Sequence, residues 1–406
     1  MEVFGVIGGA ATSLLGYVIP FLFVLTVVVF VHELGHFIAA KLTGVYAPRF
    51  SIGFGPSLLK KRFGETEYVL AALPLGGYVR MASREDEATA FLEGGSENSA
   101  VTPGSPKDGF DPNAMIPFGP KPIPESRWFE SKSLPARLFI MLAGVTMNAL
   151  LAYVIYVGLL LRSGIPTPVP VAAVVNPGKP AALAGIQVGD SIASLNGRPL
   201  ESWQTLLDSI GASPGRQLQL GIVRQGQPVT VSVTPASEVL PDPETGVKRP
   251  VGRIGMIANV AFTPVSTPRA FAEAWNITID NGGRIFTALG SLVRGVGLSD
   301  LGGPIAIAQV SVQAAQSGVE SLLLLVALIS INVAVFNLLP IPILDGGQIV
   351  LNVAETIKGS AFSTRTRERI LKGGLLIIGL LFVTVMFNDI SRNMQNIVKL
   401  VGRLFG

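Results

Sequence analysis

The chain of 406 residues contains no cysteine, only two histidines and few charged side chains. The absence of cysteine excludes disulfide bonds, thiolate metal sites and cysteine nucleophiles. Charged residues make up 14% of the chain, whereas an ordinary soluble domain contains about 25%. This deficit excludes a conventional soluble enzyme of this length. The net charge of +4 is spread along the chain without a dense basic tract, so we expect no nucleic-acid partner.

Apolar residues are abundant, at 49% of the chain, and the mean hydropathy is +0.52. They concentrate in four stretches that carry almost no charge, at 14–40, 138–161, 321–344 and 371–388. The first three exceed the roughly 20 residues that a membrane-spanning helix needs, and the fourth is marginal at about 18. We therefore predict an α-helical membrane protein with four transmembrane helices.

The charges between the spans predict the orientation of the chain. Four spans place the loops 41–137 and 345–370 on one side and the segment 162–320 on the other. The short loop 345–370 carries Lys358, Arg365, Arg367 and Arg369, whereas the segment 1–13 carries no basic residue. Because cytoplasmic loops are enriched in Lys and Arg, we expect both loops in the cytoplasm and 162–320 outside it. The first span lacks a basic leader and a small-residue cleavage site, which predicts a retained helix.

Residues 49–82 have the pattern of strands rather than of a helix. Phe50, Ile52 and Phe54 alternate with small or polar residues, and a turn at 63–65 precedes a second strand-like run at 67–73. The pair is too apolar for a solvent loop, so we predict a membrane-associated β-hairpin. The stretch 94–126 is rich in Gly, Pro, Ser and Asn, which predicts a flexible cytoplasmic linker.

Residues 169–235 predict a small β-rich domain. Short strand candidates lie at 171–175, 191–195, 217–223 and 229–234, and 200–210 has the pattern of a helix. The run Gly185-Ile186-Gln187-Val188-Gly189-Asp190-Ser191-Ile192, followed by Leu195-Asn196-Gly197-Arg198-Pro199, resembles a PDZ domain of the bacterial protease type. Such a domain binds an extended peptide, including a peptide C-terminus, by strand addition. The alternative is a plain β-domain that acts only as a spacer.

These features divide the chain as follows: the first transmembrane helix at 1–48, the β-hairpin at 49–82, the cytoplasmic linker at 83–137, the second transmembrane helix at 138–161, the extracytoplasmic PDZ-like domain at 169–235, an amphipathic connector at 236–320, the third transmembrane segment at 321–345, a cytoplasmic loop at 346–370, the fourth transmembrane helix at 371–388 and a tail at 389–406.

Both histidines of the chain lie in one pattern, His32-Glu33-Leu34-Gly35-His36, within the first apolar stretch. A spacing of four places both imidazoles on one face of a helix, where they can ligate one zinc ion, and Glu33 becomes a candidate general base. The alternative is an interfacial cluster whose histidines only reach toward water. An ionisable group at membrane depth costs roughly 2.5–3.5 kcal/mol on insertion scales, which favours the functional interpretation.

A catalytic zinc site needs three protein ligands and an open fourth position. Without a third histidine or a cysteine, the third ligand must be a carboxylate, and Asp345 directly follows the third apolar span. Pro340 and Pro342 break the helix, and Gly346-Gly347 allow a turn that points Asp345 inward. The alternative role for Asp345 is an N-cap of a helix at 348–357.

Taken together, the chain resembles the site-2 protease family of intramembrane zinc metalloproteases. The resemblance rests on His32–His36 and on the run Asn337-Leu338-Leu339-Pro340-Ile341-Pro342-Ile343-Leu344-Asp345-Gly346-Gly347. The segments 53–56, 74–78 and 301–305 match further family marks, and the similarity covers essentially the full length. The closest branch is bacterial and cleaves anti-sigma factors and membrane-embedded signal-peptide remnants. Two departures are a single PDZ-like domain instead of two and Val145 where the family usually has proline.

The resemblance implies that His32, His36 and Asp345 bind Zn2+ and that Glu33 is the catalytic base. It also implies substrate-binding roles for three asparagines: Asn332, Asn337 and Asn148. Asn332 and Asn337 are five residues apart and cannot face the same way on an ideal helix, so we expect a break between them. The alternative role for these asparagines is to bridge helices.

The same resemblance implies a multi-pass protein of the inner (cytoplasmic) membrane of a bacterium, with the PDZ-like domain outside the cytoplasm. Its partners would be the lipid bilayer and single-pass membrane proteins, such as anti-sigma factors or signal-peptide remnants. A competing interpretation is a catalytically inactive membrane adaptor that carries the PDZ-like module. A structural zinc site normally has four protein ligands, and the sequence offers no obvious fourth. A transporter would show inverted repeats with broken helices, and no convincing pair is present.

Overall fold

The computed structural model describes residues 2–83, 124–241, 247–293 and 302–405. The chain divides into two compact units. The membrane unit comprises Met1–Tyr156 and Ala274–Gly406, and the β-rich unit comprises Val157–Glu273. Most of the linker predicted at 83–137 lies outside the described residues.

The membrane unit is mainly helical. Its helices are α1 (Glu2–Leu42), α2 (Leu134–Ser163, which continues into the β-rich unit), α5 (Thr267–Val293, which begins there), α6 (Pro304–Ser317), α7 (Val319–Asn337), α8 (Asp345–Lys358) and α9 (Thr364–Phe405). Within the described residues, four helical segments are long and apolar enough to cross a membrane. They are Val18–Leu42, Leu134–Ser163, Val319–Asn337 and Arg365–Arg392. The number of these candidate spans equals the predicted four, and the fourth is longer than the predicted 371–388.

Two long strands, β1 (Arg49–Phe63) and β2 (Thr66–Arg80), occupy the region where strands were expected. Both strands bend, so that they pair with each other more than once. Residues 49–52 have partners in both 67–70 and 77–80, whereas 57–63 pair with 66–71. The resulting sheet has four segments in the spatial order 57–63, 66–71, 49–54 and 73–80. Its two edges are therefore 57–63 and 73–80.

Gly53 allows the bend in β1. Its φ is +89°, and a Cβ added at this position would lie 2.7 Å from the carbonyl oxygen of Leu73. Residues other than glycine strongly disfavour this left-handed region. The bend brings 49–54 between two segments of β2, and this arrangement turns a simple hairpin into a four-segment sheet.

The N-terminus of α6 is held by a carboxylate from α9. Asp389 is fully buried, and its Oδ2 accepts hydrogen bonds from the backbone N–H groups of Ile305 (2.8 Å) and Ala306 (3.2 Å). A Cβ added at Gly303 would lie 2.7 Å from the same Oδ2. The glycine before Pro304 thus makes room for a carboxylate that satisfies free N–H groups at a helix start. Helix α6 in turn packs against α1.

The β-rich unit contains the strands β3 (Ile165–Val175), β4 (Ser191–Leu195), β5 (Arg198–Pro199), β6 (Leu218–Arg224), β7 (Gln227–Val233), β8 (Ala236–Pro241), β9 (Lys248–Arg253) and β10 (Met256–Thr263). It also contains the short helix α3 (Pro180–Leu183) and the helix α4 (Trp203–Gly211). One sheet has the order β10-β3-β4-β6-β7 with β5 paired to β4, and β8 and β9 form a separate pair. Buried apolar residues, including Ile192, Leu206 and Leu220, form its core.

The sequence prediction and the structure differ at two places in this unit. The connector predicted at 236–320 contains three strands in its described residues, namely β8, β9 and β10. Strand β3 begins at Ile165 rather than 171, despite Pro166, Pro168 and Pro170. These prolines alternate along the strand, so their missing N–H groups all point to one side, and β10 pairs with β3 from the other. Local pattern could not reveal this pairing, because β10 follows β3 by about 90 residues.

Candidate metal centre

Helix α1 places its two histidines on one face. His32 and His36 are both buried, with 7% and 8% of their surfaces exposed. Their Nε2 atoms lie 3.1 Å apart. One helical turn between the two residues produces this approach, and the two nitrogens are therefore available to the same ion.

The segment after α7 brings Asp345 to the histidines. Helix α7 ends at Asn337, and α8 begins at Asp345 itself, with Leu344 at the N-cap and no side-chain cap hydrogen bond. The alternative role of Asp345 as an N-cap of the following helix is therefore wrong. Gln348 stabilises the connecting turn by donating a hydrogen bond from Nε2 to the carbonyl oxygen of Pro342 (2.7 Å).

The two glycines after Asp345 serve close packing. Both are helical and buried. A Cβ at Gly346 would lie 2.3 Å from the carbonyl oxygen of Leu338, and one at Gly347 would lie 2.0 Å from that of Ile341. The start of α8 can thus lie directly against the preceding turn. This contact fixes the position of Asp345.

Three potential ligand atoms form a compact triangle. Oδ2 of Asp345 lies 3.2 Å from Nε2 of His32 and 3.4 Å from Nε2 of His36. Tetrahedral zinc with bonds of about 2.0–2.1 Å holds its nitrogen and oxygen ligands about 3.3 Å apart. Asp345 Oδ2 is also buried and accepts no hydrogen bond in the described part of the chain. The donor atoms, their spacing and this unsatisfied oxygen fit a zinc ion.

Glycines at the contact between α1 and α2 make room for the triangle. A Cβ at Gly144 would lie 2.3 Å from Nε2 of His36 and 2.7 Å from Cε1 of His32. A Cβ at Gly35 would lie 2.4 Å from the carbonyl oxygen of Ala143. Sequence reasoning missed both roles. The only signal was their location, inside the histidine pattern and beside Val145.

A cavity of about 530 Å³ opens beside the three ligand atoms. Glu33 lines it together with Val79 of the edge segment 73–80, and a Cβ added at Gly77 of that segment would lie 3.4 Å from Cγ of Glu33. Tyr78 and Asn337 also line the cavity. A potential base, a potential metal site and a sheet edge that is paired on one side only among the described residues therefore border the same cavity.

The three predicted asparagines lie in different surroundings. Asn337 lines the cavity, with Nδ2 3.3 Å from Nε2 of His32. Asn332 does not line it, and the expected break between the two is wrong, because α7 is continuous through Asn337. Asn148 has no exposed surface and faces His32 from α2, with Nδ2 3.4 Å from Nδ1. The structure gives no support for direct substrate contact by Asn148.

Ion pairs secure the sheet next to the end of α1. Glu65, in the turn between β1 and β2, accepts hydrogen bonds from Arg127 (2.8 and 2.9 Å) and Lys41 (2.6 Å). The Arg127 guanidinium, together with Lys41, lowers the pKa of Glu65 to about 2. Arg49 and Glu67 form a second pair at 2.6 Å. The sheet that borders the cavity is thus attached to the helix that carries the histidines.

Comparisons with known proteins agree with this geometry. The model of peptidase family M50 matches residues 20–381. The chain is 32% identical to "Zinc metalloprotease RasP" of Bacillus licheniformis, covering 92% of this chain and 99% of that protein. It is 31% identical to "Regulator of sigma-W protease RasP" of Bacillus subtilis, covering 92% and 98%. A third relative, "Zinc metalloprotease RasP" of Geobacillus kaustophilus, is 30% identical over 92% and 98%.

Proposed function

We propose a detailed function from one established premise: the chain belongs to peptidase family M50, the site-2 protease family of intramembrane zinc metalloproteases. The family predicted from the sequence and its zinc cofactor are thereby confirmed. The proposal concerns the roles of individual residues, the substrate and the orientation in the membrane. The triangle of His32, His36 and Asp345 beside Glu33 carries it.

His32, His36 and Asp345 hold the zinc ion through the three atoms that lie 3.1–3.4 Å apart. A bound zinc ion supplies a Lewis acid that activates water near neutral pH and polarises a carbonyl group. Glu33, in the same cavity, takes the proton from the attacking water and returns it to the leaving amine. Glu33 lies next to the edge segment 73–80 in this cavity, so the base is beside the sheet edge that receives the substrate.

The substrate backbone pairs with the edge segment 73–80. A transmembrane helix keeps its carbonyl groups in internal hydrogen bonds, so it must unwind locally before hydrolysis. Each unsatisfied backbone group in lipid costs several kcal/mol, and strand addition to an open edge satisfies these groups. Among the described residues, 73–80 has a strand partner on one side only, and Tyr78 and Val79 face the cavity. Asn337 adds an amide that both donates and accepts.

The β-rich unit acts as a PDZ-like module. Its strand β10 is at the edge of the sheet and is paired only to β3 within the described residues, which supports binding of an extended peptide or a peptide C-terminus by strand addition. The positive charges of 345–370 support a location outside the cytoplasm for this unit and a multi-pass location in the bacterial inner membrane.

Single-pass membrane proteins are the proposed substrates, namely anti-sigma factors or signal-peptide remnants. The name of the Bacillus subtilis relative, a regulator of sigma-W, supports this class for the present chain. The substrate enters from the lipid bilayer and reaches the cavity in an extended form.

Purified protein with a fluorescent transmembrane substrate peptide tests the assignment. We expect about one zinc ion per chain and cleavage that stops with a chelator and returns with zinc. Glu33→Gln keeps the zinc and loses cleavage, whereas Asp345→Asn loses both. Glu368→Gln, which alters an exposed carboxylate paired with Lys372, is the matched control and keeps both. A folded, zinc-loaded wild type without proteolysis would favour the inactive adaptor instead.

A further inference from the structure

The two imidazoles of the triangle are held differently through their Nδ1 atoms. Nδ1 of His36 lies 2.8 Å from the carbonyl oxygen of Ile140 on α2. A carbonyl oxygen only accepts, so this nitrogen carries the proton and donates it. The other ring nitrogen, Nε2, is then left with the lone pair that a metal ligand needs.

No backbone carbonyl has this role for His32 in the described part of the chain. Its Nδ1 instead faces the side-chain amide of Asn148, 3.4 Å from Nδ2. Asn148 is fully buried, and its Oδ1 makes no hydrogen bond with any of the described residues. Oxygen and nitrogen of an amide exchange places by a half turn, and hydrogen bonding decides between the two orientations.

The chemistry of the triangle selects one orientation. If Nδ2 of Asn148 donated to His32, the proton of the imidazole would be on Nε2. That nitrogen already faces Nε2 of His36 and Oδ2 of Asp345 at 3.1 and 3.2 Å, and a protonated Nε2 cannot ligate a metal. With Oδ1 facing His32, the amide accepts the Nδ1 proton, and Nε2 is free to ligate.

We propose that Asn148 is a positioning residue that accepts the Nδ1–H of His32 and thereby fixes its tautomer and ring orientation for zinc. The proposal rests on the zinc site proposed above and replaces the substrate-binding role predicted for Asn148. A separate hydrogen bond reaches the backbone of the same residue, because Ser330 on α7 donates to the backbone oxygen of Asn148 at 2.8 Å. One residue of α2 therefore connects α7 to a ligand on α1.

Zinc affinity of the full-length protein, measured by competition with a chromophoric chelator, tests the proposal without reference to activity. Asn148→Leu removes the acceptor at similar volume, and we expect affinity to fall about 10- to 100-fold. Asn148→Asp keeps an acceptor and should restore affinity to within a few-fold of wild type. Ser330→Ala removes the hydrogen bond to the same backbone but leaves the acceptor in place, so it should bind zinc like wild type.

The absorption spectrum of the cobalt-substituted protein provides a second measurement. We expect the d–d bands to shift in Asn148→Leu and to remain near their wild-type positions in Asn148→Asp and Ser330→Ala. Wild-type affinity in Asn148→Leu, or equal loss in a folded Asn148→Asp, overturns the proposal. If the leucine variant does not fold, the aspartate variant alone decides. If the wild type binds no zinc, the proposed metal site fails instead.

Discussion

The two units bury different kinds of side chain. The β-rich unit has an apolar core, and the one charged side chain that is buried among its described residues, Asp190, is paired with Arg224 at 2.8 Å. The membrane unit buries polar groups at several helix contacts, among them His32, His36 and Asn148. Buried polar groups destabilise a fold unless they find partners. The stability of the β-rich unit therefore depends on apolar packing, whereas that of the membrane unit depends on the hydrogen bonds of its buried polar groups and on the bound metal.

The largest expected effect is that of one methyl group at the metal site. Gly144→Ala would place a Cβ 2.3 Å from Nε2 of His36, so the imidazoles must move. We expect zinc affinity to fall by about 100-fold and cleavage of a transmembrane substrate to be lost. Gly158→Ala, in the same helix with nothing within 4 Å of the added Cβ, should keep both. Equal zinc affinity and equal cleavage in the two variants would show that the added Cβ at residue 144 does not displace the imidazoles.

A cavity in the apolar core of the β-rich unit should lower the stability of that unit without changing zinc binding. Leu220 is fully buried at the centre of the β-rich unit, so Leu220→Ala should lower the free energy of unfolding of this unit by about 2–5 kcal/mol. Zinc content should not change. Hydrogen exchange in β6 measures the loss, and Leu207→Ala, at a side chain that is 42% exposed, is the control. A matching loss of zinc would show that the units are not energetically separate.

Removal of the metal should destabilise the membrane unit and leave the stability of the β-rich unit unchanged. A ligand present at a hundredfold excess over its Kd stabilises the folded state by about 2.7 kcal/mol. Chelation should therefore speed hydrogen exchange in α1 and α8, with no change in β4 or β6. Acceleration of exchange throughout the β-rich unit would contradict this expectation.

The smallest expected effect is on the stability of the β-rich unit at acidic pH. The hydrogen bond from Arg224 lowers the pKa of Asp190 below its usual value. Asp190 therefore stabilises the β-rich unit above the pKa of an unfolded aspartate, about 3.9, and the contribution is lost as the pH falls through the lower, folded value. Asp190→Asn should be less stable near neutral pH and should show a flatter pH dependence below about 4. If the unfolding free energies of the two proteins have the same pH dependence, the Asp190–Arg224 hydrogen bond is not its origin.

The sequence predicted what depends on local spacing or on simple chemistry. The four spans follow from length and apolarity, and the histidine pair follows from helical periodicity. Elimination of other ligands pointed to Asp345, although 309 positions separate it from His36.

What sequence reasoning missed depends on how distant segments approach each other. The role of Gly144 becomes visible only when α2 lies against α1, and β10 becomes a strand because it pairs with β3. The expected break before Asn337 assumed that both asparagines act together, whereas α7 continues and ends there. The substrate-binding role predicted for Asn148 came from the family resemblance, and its buried location behind His32 becomes visible only in the structure.

The two edges of the small sheet carry different charges. Segment 57–63 contains Lys60, Lys61 and Arg62, whereas 73–80 contains one charged residue, Arg80, which lies at its end and is buried. Unpaired strand edges invite association between molecules, and lysines at an edge discourage it. Copies of the protease would thus repel one another along segment 57–63, whereas segment 73–80 can still pair with a substrate strand. The charged edge limits aggregation without blocking access to the cavity.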